Sequence, residues 1–212
     1  MAEPILNTLY WLSTAGRTYR VLQFFGIPRA AKWLLSKYGG PTVKTYGFRY
    51  FPRRAYIDKE HESLGMRFAN ASSVWAMWPV GAKFFDARQQ THVVKRLILP
   101  YPESESTKFF FDSINQGQPV RDLIKHVTER AYAAGADVRW CDHFLYNAIT
   151  LVDYDDPMGW AHVESVLPFC ITENRPGYTI YKHRSAESVM NLVDVFLKVW
   201  DASKSAPRDG RA

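Results

Sequence analysis

The segment from residue 153 to residue 164 contains side chains of the types that support metal-assisted hydrolysis. It carries the acidic residues Asp153, Asp155 and Asp156, and His162 and Glu164 follow closely. Carboxylates are hard oxygen ligands of the kind that Mg²⁺ prefers, and a bound divalent cation can activate water. One hypothesis is therefore a Mg²⁺-dependent phosphoesterase or nuclease that uses Asp153, Asp156, His162 and Glu164.

The same residues also have a simpler interpretation as the polar end of two strands. Aspartate and proline are ordinary turn residues, and the run Asp-Tyr-Asp-Asp-Pro-Met-Gly that starts at Asp153 is typical of a solvated turn. His162 and Glu164 stand two positions apart, so on a strand they would share one face. We favour this interpretation, under which these residues are not catalytic and hold no metal.

Other kinds of catalytic site find little support in the sequence. Neither GxxxxGK[ST] nor GxGxxG occurs, so we expect no nucleotide cofactor, and no G-x-S-x-G elbow indicates acyl transfer. The two cysteines, Cys141 and Cys170, are too few for a disulfide framework or a structural zinc site. No apolar run reaches the length of a membrane span. We expect a cytoplasmic protein, with peripheral contact to a membrane left open.

The elements that would position these residues alternate between short apolar strands and amphipathic helices. The pattern is typical of an α/β fold: one layered domain with a mixed central sheet flanked by helices. A helical N-terminal extension precedes that domain. Predicted strands cover 73–78, 93–99, 137–140, 148–152 and 162–167, and predicted helices cover 106–115, a segment from Pro119 to a stop at Gly135, and a segment after Ser185.

Around the predicted strand 148–152, three residues stand in the spacing of a known catalytic motif. Tyr146, Ala148 and Asp153 occupy the positions of His, Lys and Asp in His-x-Lys-x4-Asp, with Asn147 between the first two, and Gly159 precedes the next strand. In this frame and in the order of its elements, the chain resembles the phospholipase D-like superfamily. The resemblance covers about two-thirds of the chain, and only the aspartate of the motif is present.

The resemblance implies a member that has lost its catalytic activity. In catalytic members the histidine attacks phosphorus to form a covalent intermediate, and the lysine neutralises charge on the phosphoryl oxygens. Tyr146 and Ala148 cannot replace them, so Tyr146, Asn147 and Asp153 would form a degenerate half-site. The resemblance also implies a homodimer, because single-domain members pair across their half-sites.

Positive charge is concentrated at the start of the chain. From Pro4 to Ile57 there are nine Lys and Arg residues and no acidic residue, whereas the chain from Asp58 onward has 18 basic and 20 acidic residues. We call residues 1–57 the basic segment, and we predict in it two helices over 4–38 and a strand over 42–51 with an aromatic face. Its predicted anion-binding residues are Arg17, Arg20, Arg29, Lys32, Lys44, Arg49, Arg53 and Arg54.

The basic segment predicts an anionic partner and leaves its class open. Lysine and arginine could meet nucleic-acid phosphates while aromatic rings stack on bases, or they could meet lipid headgroups on a membrane surface. The segment could also pack as core or as the interface of a larger assembly. We expect a binding or regulatory module, with an α/β domain over 58–203 and a disordered tail over 204–212.

Overall fold

Nine strands form one mixed β-sheet within the residues that the structure describes. The computed structural model of the chain describes residues 43–45, 48–54, 68, 70–86, 91–113, 117–143, 145–170 and 172–208. The strands are β1 (Val43–Thr45), β2 (Phe48–Phe51), β3 (Val74–Met77), β4 (Val94–Pro100), β5 (Asp137–Cys141), β6 (Asn147–Val152), β7 (Trp160–Ser165), β8 (Gly177–Tyr181) and β9 (Lys204–Ser205).

The sheet mixes parallel and antiparallel pairs. Its order is β1-β2-β8-β7-β6-β3-β4-β5-β9. The pairs β3–β4 and β4–β5 are parallel, and every other neighbouring pair is antiparallel. The mixed sheet flanked by helices confirms the predicted fold class, and the predicted helices over 4–38 lie outside the described residues.

Helices pack on both faces of this sheet. They are α1 (Ala82–Asp86), α2 (Glu105–Ser113), α3 (Gly117–Ala133) and α4 (Ala186–Ala202). The first three contribute to one core together with residues such as Ala76 and Leu97, and α4 contributes to a second core with residues such as Leu151 and Ala161. We call these two sides of the sheet the α3 face and the α4 face.

Helical periodicity explains how α3 and α4 form and where they end. In α3 the buried residues Val120, Ile124, Val127 and Ala131 follow the three- and four-residue spacing of one helix face. Gly135 follows α3 with a φ of 88°, a left-handed conformation that glycine adopts without strain. The predicted end of α3 is confirmed. In α4 the buried stripe is Val189, Val193, Phe196 and Trp200.

The first strands of the sheet correct the predicted domain limits. The predicted single strand over 42–51 is two strands, β1 and β2, that pair in antiparallel, and β2 pairs further with β8. The compact unit that holds the sheet accordingly begins at Pro41 and not at residue 58. Because β2 hydrogen-bonds to a strand near the end of the chain, these residues belong to the α/β domain.

The end of the described chain corrects the predicted tail. Lys204 and Ser205 form β9, which pairs with β5, and Ala206 is buried. The backbone N–H of Ala206 donates to the carbonyl oxygen of Val138 at 3.0 Å, and the Tyr132 hydroxyl donates to the Ala206 carbonyl at 2.7 Å. Residues 204–206 are therefore part of the sheet and its core, not of a disordered tail.

Candidate functional site

Strand β7 brings two ionisable side chains into the interior on the α3 face. His162 and Glu164 alternate along β7 with Ala161 and Val163, which belong to the core under α4. Successive side chains of a strand point to opposite faces, so His162 and Glu164 share the α3 face as their spacing predicted. The exposed fraction is 1% for His162 and 3% for Glu164. Both groups therefore depend on protein partners for their hydrogen bonds.

Both ring nitrogens of His162 have such partners. Nε2 lies 3.2 Å from Oε1 of Glu164, and Nδ1 lies 2.9 Å from Oγ1 of Thr179 on the neighbouring strand β8. An ionised carboxylate can only accept, so Nε2–H donates to Glu164, and in the neutral imidazole Nδ1 accepts from the Thr179 hydroxyl. The Phe51 ring packs beside the imidazole, with 6.4 Å between ring centroids.

Glu164 is held as an anion by surrounding positive charge. Nη1 of Arg54 donates to Oε2 of Glu164 at 3.2 Å. Burial by itself would raise the pKa of the Glu164 carboxyl, but the hydrogen bond from His162 and the charges of Arg54 and Arg175 outweigh it and hold that pKa below its usual range. We call Arg54, His162, Glu164 and Thr179 the Glu164 cluster.

Two further arginines approach the cluster from neighbouring elements. Arg175 precedes β8, is 5% exposed, and its charge acts on Glu164. Arg49 on β2 is in register with Thr179, which is in register with His162, so Arg49 points to the same face. Its guanidinium carbon lies 5.6 Å from the centroid of the Phe51 ring. Through Arg49, Phe51 and Arg54, β2 and its following turn therefore pack against His162, Thr179 and Glu164 in the centre of the sheet.

Asp153 and Asp156 do not join His162 and Glu164. In the β6–β7 pairing Glu164 faces Ala148, whereas Asp153 follows the far end of β6, a separation of about 16 Å at the usual rise of a strand. Of the four residues of the hydrolase hypothesis, Asp153 and Asp156 thus lie in the turn, His162 lies in the middle of β7 opposite Thr150, and Glu164 lies towards the other end of the hairpin. Among the described residues, no group of three His, Cys, Asp or Glu side chains could hold a metal ion.

Both of these aspartates bind backbone groups of the turn and its neighbours. Oδ1 of Asp153 accepts hydrogen bonds from the N–H groups of Ser72 at 2.9 Å and Ser73 at 2.7 Å, which fixes the start of β3. Oδ1 of Asp156 accepts from the N–H of Met158 at 2.6 Å. These bonds show that Asp153 and Asp156 lie in a turn and bind its backbone, and the absence of a catalytic role for them stays a prediction.

The close approach of two backbone segments in this turn also requires a glycine. Asp153 has a φ of 45°, and a Cβ at Gly159 would stand 2.0 Å from its carbonyl oxygen. No side chain fits at position 159 unless the backbone moves. The aspartate and glycine of the motif frame therefore have structural roles here that need no catalytic chemistry.

The first two positions of the motif frame, Tyr146 and Ala148, lie at the same end of β6 as Glu164 on β7, whereas Asp153 lies at the other end of β6. Ala148, at the lysine position of the frame, is buried and directly faces Glu164 in the β6–β7 pairing. Tyr146, at the histidine position, is 63% exposed, and Asn147 is also exposed. Arg54 is the residue whose guanidinium reaches Glu164, so a cation stands near this place although the lysine is absent.

The predicted anion-binding residues fall into two groups. Arg17, Arg20, Arg29 and Lys32 lie outside the described residues, as does the side chain of Lys44, whose backbone is in β1. Of the other three, Arg53 is exposed, Arg49 is half-buried, and Arg54 is engaged by Glu164. Nη1 of Arg54 already has an anionic partner in Glu164, and the anion-binding role of all eight residues stays a prediction.

Sequence analysis missed Arg175 and Thr179 because it predicted no strand at 177–181. The signal was present: Tyr, Thr, Ile and Tyr follow Gly177 and are residues that favour strands. Sequence analysis also missed Arg96 and Arg139 on the α4 face, because a single arginine within an apolar strand does not by itself indicate a site.

No helix among the described residues is long and apolar enough to cross a membrane.

Comparisons with known proteins give no family for this chain. No protein-family model and no curated protein matches it. Among solved structures it is similar to Nuc from Salmonella typhimurium, a phospholipase D family member, with 9% identity and a TM-score of 0.45 over 67% of this chain and 87% of that one. It is also similar to TrmBL2, an archaeal chromatin protein described as showing a novel mode of DNA binding. That similarity has 10% identity and a TM-score of 0.44 over 97% of this chain and 71% of that one. Membership of the phospholipase D-like superfamily remains a prediction from the motif frame.

Proposed function

We propose that the chain is a non-catalytic, phospholipase D-like binding or regulatory module that its basic segment recruits to nucleic acid. The observation that carries the proposal is the charge distribution, nine basic and no acidic residues from Pro4 to Ile57 beside a nearly balanced remainder. Phosphate neutralisation by lysine and arginine supplies most of the affinity of sequence-independent binding. A segment of this composition is therefore an electrostatic footprint for a polyanion.

The absence of catalysis in this proposal is supported by the half-site positions. The frame has Tyr146 and Ala148 where a nucleophile and a cation would stand. His162 on the neighbouring strand β7 is buried, and both of its ring nitrogens are hydrogen-bonded, so it has no lone pair directed at a substrate. Nucleophilic attack needs an accessible and activated nitrogen. A hydrolase would have to use residues other than these.

The described end of the basic segment is compatible with contact to single-stranded nucleic acid. Arg53, two residues after the end of β2, is exposed, and Tyr50 on β2 is 43% exposed. An exposed cation near an exposed ring provides a phosphate contact and a stacking surface, which is the combination that sequence-independent single-strand binding uses. Arg54 is left out of this surface because Glu164 engages it.

The direct test is binding of the full chain to a labelled single-stranded oligonucleotide across a salt series. We expect the logarithm of the association constant to fall steeply and linearly with the logarithm of salt concentration, and we expect Arg17→Glu with Arg20→Glu to flatten that slope. The matched control is Arg184→Glu with Lys198→Glu, which changes the net charge equally at two exposed residues of the α/β domain. Equal weakening by both pairs would contradict a localised footprint.

Two parallel measurements address the other anionic partner and the absence of catalysis. If the full chain binds phosphatidylserine vesicles and not the oligonucleotide, the partner is a membrane surface and the nucleic-acid proposal is wrong. Phosphodiester hydrolysis with Mg²⁺ that is lost in Asp153→Asn would overturn the non-catalytic assignment. That variant keeps an oxygen to accept the Ser72 and Ser73 bonds, so its loss of activity would not follow from unfolding alone.

The resemblance adds a quaternary expectation to the proposal. We expect the module to form a homodimer in a cytoplasmic setting, and static light scattering of the purified chain would measure its mass. A monomeric mass would remove the pairing across half-sites from the proposal while leaving recruitment through the basic segment intact. A chain that is soluble only with another protein would indicate a subunit of a larger assembly.

A further inference from the structure

On the α4 face, two arginines are surrounded by aromatic rings. Arg96 on β4 has its guanidinium carbon 4.2 Å from the centroid of the Trp75 ring and 5.2 Å from that of Trp200. Arg139 on β5 has its guanidinium carbon 4.5 Å from the same Trp200 centroid. The Tyr154 ring extends the group, with its centroid 4.4 Å from that of Trp75. Two cations thus stand close to one buried indole.

Neither guanidinium has an acidic partner in the described part of the chain. Arg96 donates no side-chain hydrogen bond there, although Asp137 lies opposite it in the β4–β5 register. Arg139 donates from Nη1 to the carbonyl oxygen of Trp200 at 2.7 Å, and its Nε is buried without a hydrogen-bond partner. Both side chains are half-buried, so solvent reaches part of each.

This arrangement prepares the arginines for an anion. The Trp75 and Trp200 rings contact the Arg96 guanidinium, and its N–H donors form no hydrogen bond in the described residues, so they can bind an oxyanion in bidentate form. The rings also restrict the side chain, so less conformational entropy is lost when an anion binds. Neither arginine forms a salt bridge within the described residues, so a bound anion would provide each of them with a direct negative partner.

We propose that Arg96 and Arg139 form an oxyanion site that binds a phosphate group. A phosphate monoester carries between about one and a half and two negative charges at neutral pH, which matches two guanidinium groups better than a single carboxylate does. The group could be free phosphate or the phosphate of a nucleotide whose base contacts the ring pair of Trp75 and Tyr154. The site lies on the opposite face from the Glu164 cluster and does not depend on the basic segment.

Thermal unfolding of the full chain in inorganic phosphate, compared with sodium chloride of equal ionic strength, tests this site. Phosphate also stabilises proteins without binding to them, so the decisive quantity is the difference between the wild-type chain and a variant. We expect phosphate to raise the unfolding temperature of the wild-type chain until the site is saturated. In Arg96→Gln the phosphate affinity obtained from this rise should be about tenfold lower, because a charge-assisted bidentate contact is lost. Arg184→Gln, at an exposed arginine, should leave the affinity unchanged.

Tryptophan fluorescence provides a second measurement, because Trp75 and Trp200 border the site. A phosphate titration should change the emission of the wild-type chain and of Arg184→Gln, and it should change that of Arg96→Gln only at much higher concentration. If Arg96→Gln does not fold, Arg96→Lys replaces it. Lysine keeps the positive charge but lacks the paired N–H donors of a guanidinium, so this variant should bind phosphate more weakly than the wild type. Equal phosphate responses in the wild type and in the folded Arg96 variant would overturn the proposal.

The source of the phosphate is resolved by repeating the titration with adenosine monophosphate. Tighter binding than inorganic phosphate, lost in Arg96→Gln, would support a nucleotide whose base uses the ring pair. Equal binding would support free phosphate as the ligand. The test of recruitment through the basic segment changes Arg17 and Arg20, whereas the test of the phosphate site changes Arg96. Failure of one proposal can therefore be distinguished from failure of the other.

Discussion

The two faces of the sheet treat their charged side chains in opposite ways. On the α3 face, the carboxylate of Glu164 receives hydrogen bonds from Arg54 and His162 and lies in the field of Arg175. On the α4 face, Arg96 and Arg139 are held by aromatic rings and meet no carboxylate in the described residues. The first arrangement is electrostatically closed and serves the fold, whereas the second leaves donors for a ligand.

The difference follows from how expensive a buried charge is. A group such as Glu164 can stay ionised in the interior only when partners replace the water it has lost, so each member of the Glu164 cluster is needed by the others. A half-buried guanidinium keeps part of its hydration and can remain without a counter-ion. Burial together with complete pairing therefore indicates a structural role, and partial exposure without pairing indicates a binding role.

The sharpest way to break this comparison is to remove the anion of the closed cluster. Glu164→Gln removes the negative charge that binds Arg54 and lies in the field of Arg175, and it leaves the buried His162 beside a neutral amide. We expect it to lower the free energy of unfolding by about 3–5 kcal/mol, measured by urea denaturation. Glu187→Gln, at an exposed residue of α4, should change it by less than about 0.5 kcal/mol. A similar small change in both variants would show that the cluster does not stabilise the fold.

The acid side of the stability profile follows from the same carboxylate. The pKa of Glu164 is lower in the folded chain than in the unfolded chain, so the unfolded chain binds the proton first as pH falls. The contribution of Glu164 to the free energy of unfolding is therefore fully present above the unfolded-state pKa, and it is lost as pH falls through the folded-state pKa. Between about pH 5 and pH 2, the free energy of unfolding should therefore fall more steeply in the wild type than in Glu164→Gln. Parallel profiles would exclude Glu164 as a source of acid lability.

Two adjacent arginines allow a smaller test with a built-in control. Arg54 donates a hydrogen bond to Glu164, and 32% of its side chain is exposed. Arg53 is exposed and forms no ion pair with another described residue. We expect Arg54→Gln to lower the free energy of unfolding by about 1–3 kcal/mol, less than Glu164→Gln because solvent screens part of the pair. Arg53→Gln should change it by no more than about 0.5 kcal/mol and should instead weaken oligonucleotide binding.

The smallest expected effect is on the open face. In phosphate-free buffer Arg96→Gln removes two ring contacts and one of two neighbouring positive charges, and these changes oppose each other. We expect the free energy of unfolding to change by less than about 1 kcal/mol, measured in the same urea titration. A loss as large as that of Arg54→Gln would show that Arg96 belongs to the structural framework, and the contrast between the two faces would disappear.

Periodicity in the sequence predicted most elements of the domain and part of the site. The stripe of α4, the stop of α3 at Gly135 and the strands β3 to β7 were all recognised from local spacing. The common face of His162 and Glu164 was recognised for the same reason. The edge strand β9 was not, and β1 with β2 was taken for a single strand, because strands of two to four residues show little alternation. The internal strand β8 was also missed, although its Tyr, Thr, Ile and Tyr residues favour a strand.

What the sequence determined by itself was local: the α/β alternation, the side-by-side orientation of His162 and Glu164, the turn role of Asp153, and the concentration of positive charge before residue 58. Only the tertiary structure decided that Glu164 pairs with Arg54, 110 residues away, and that Arg96 and Arg139 gather around Trp200. The orientation of a side chain about its own strand follows from backbone geometry, whereas its partners depend on strand order and register, which long-range hydrogen bonding establishes. Whether a charged side chain is paired, as Glu164 is, or lacks an acidic partner among the described residues, as Arg96 and Arg139 do, is therefore decided only when the sheet forms.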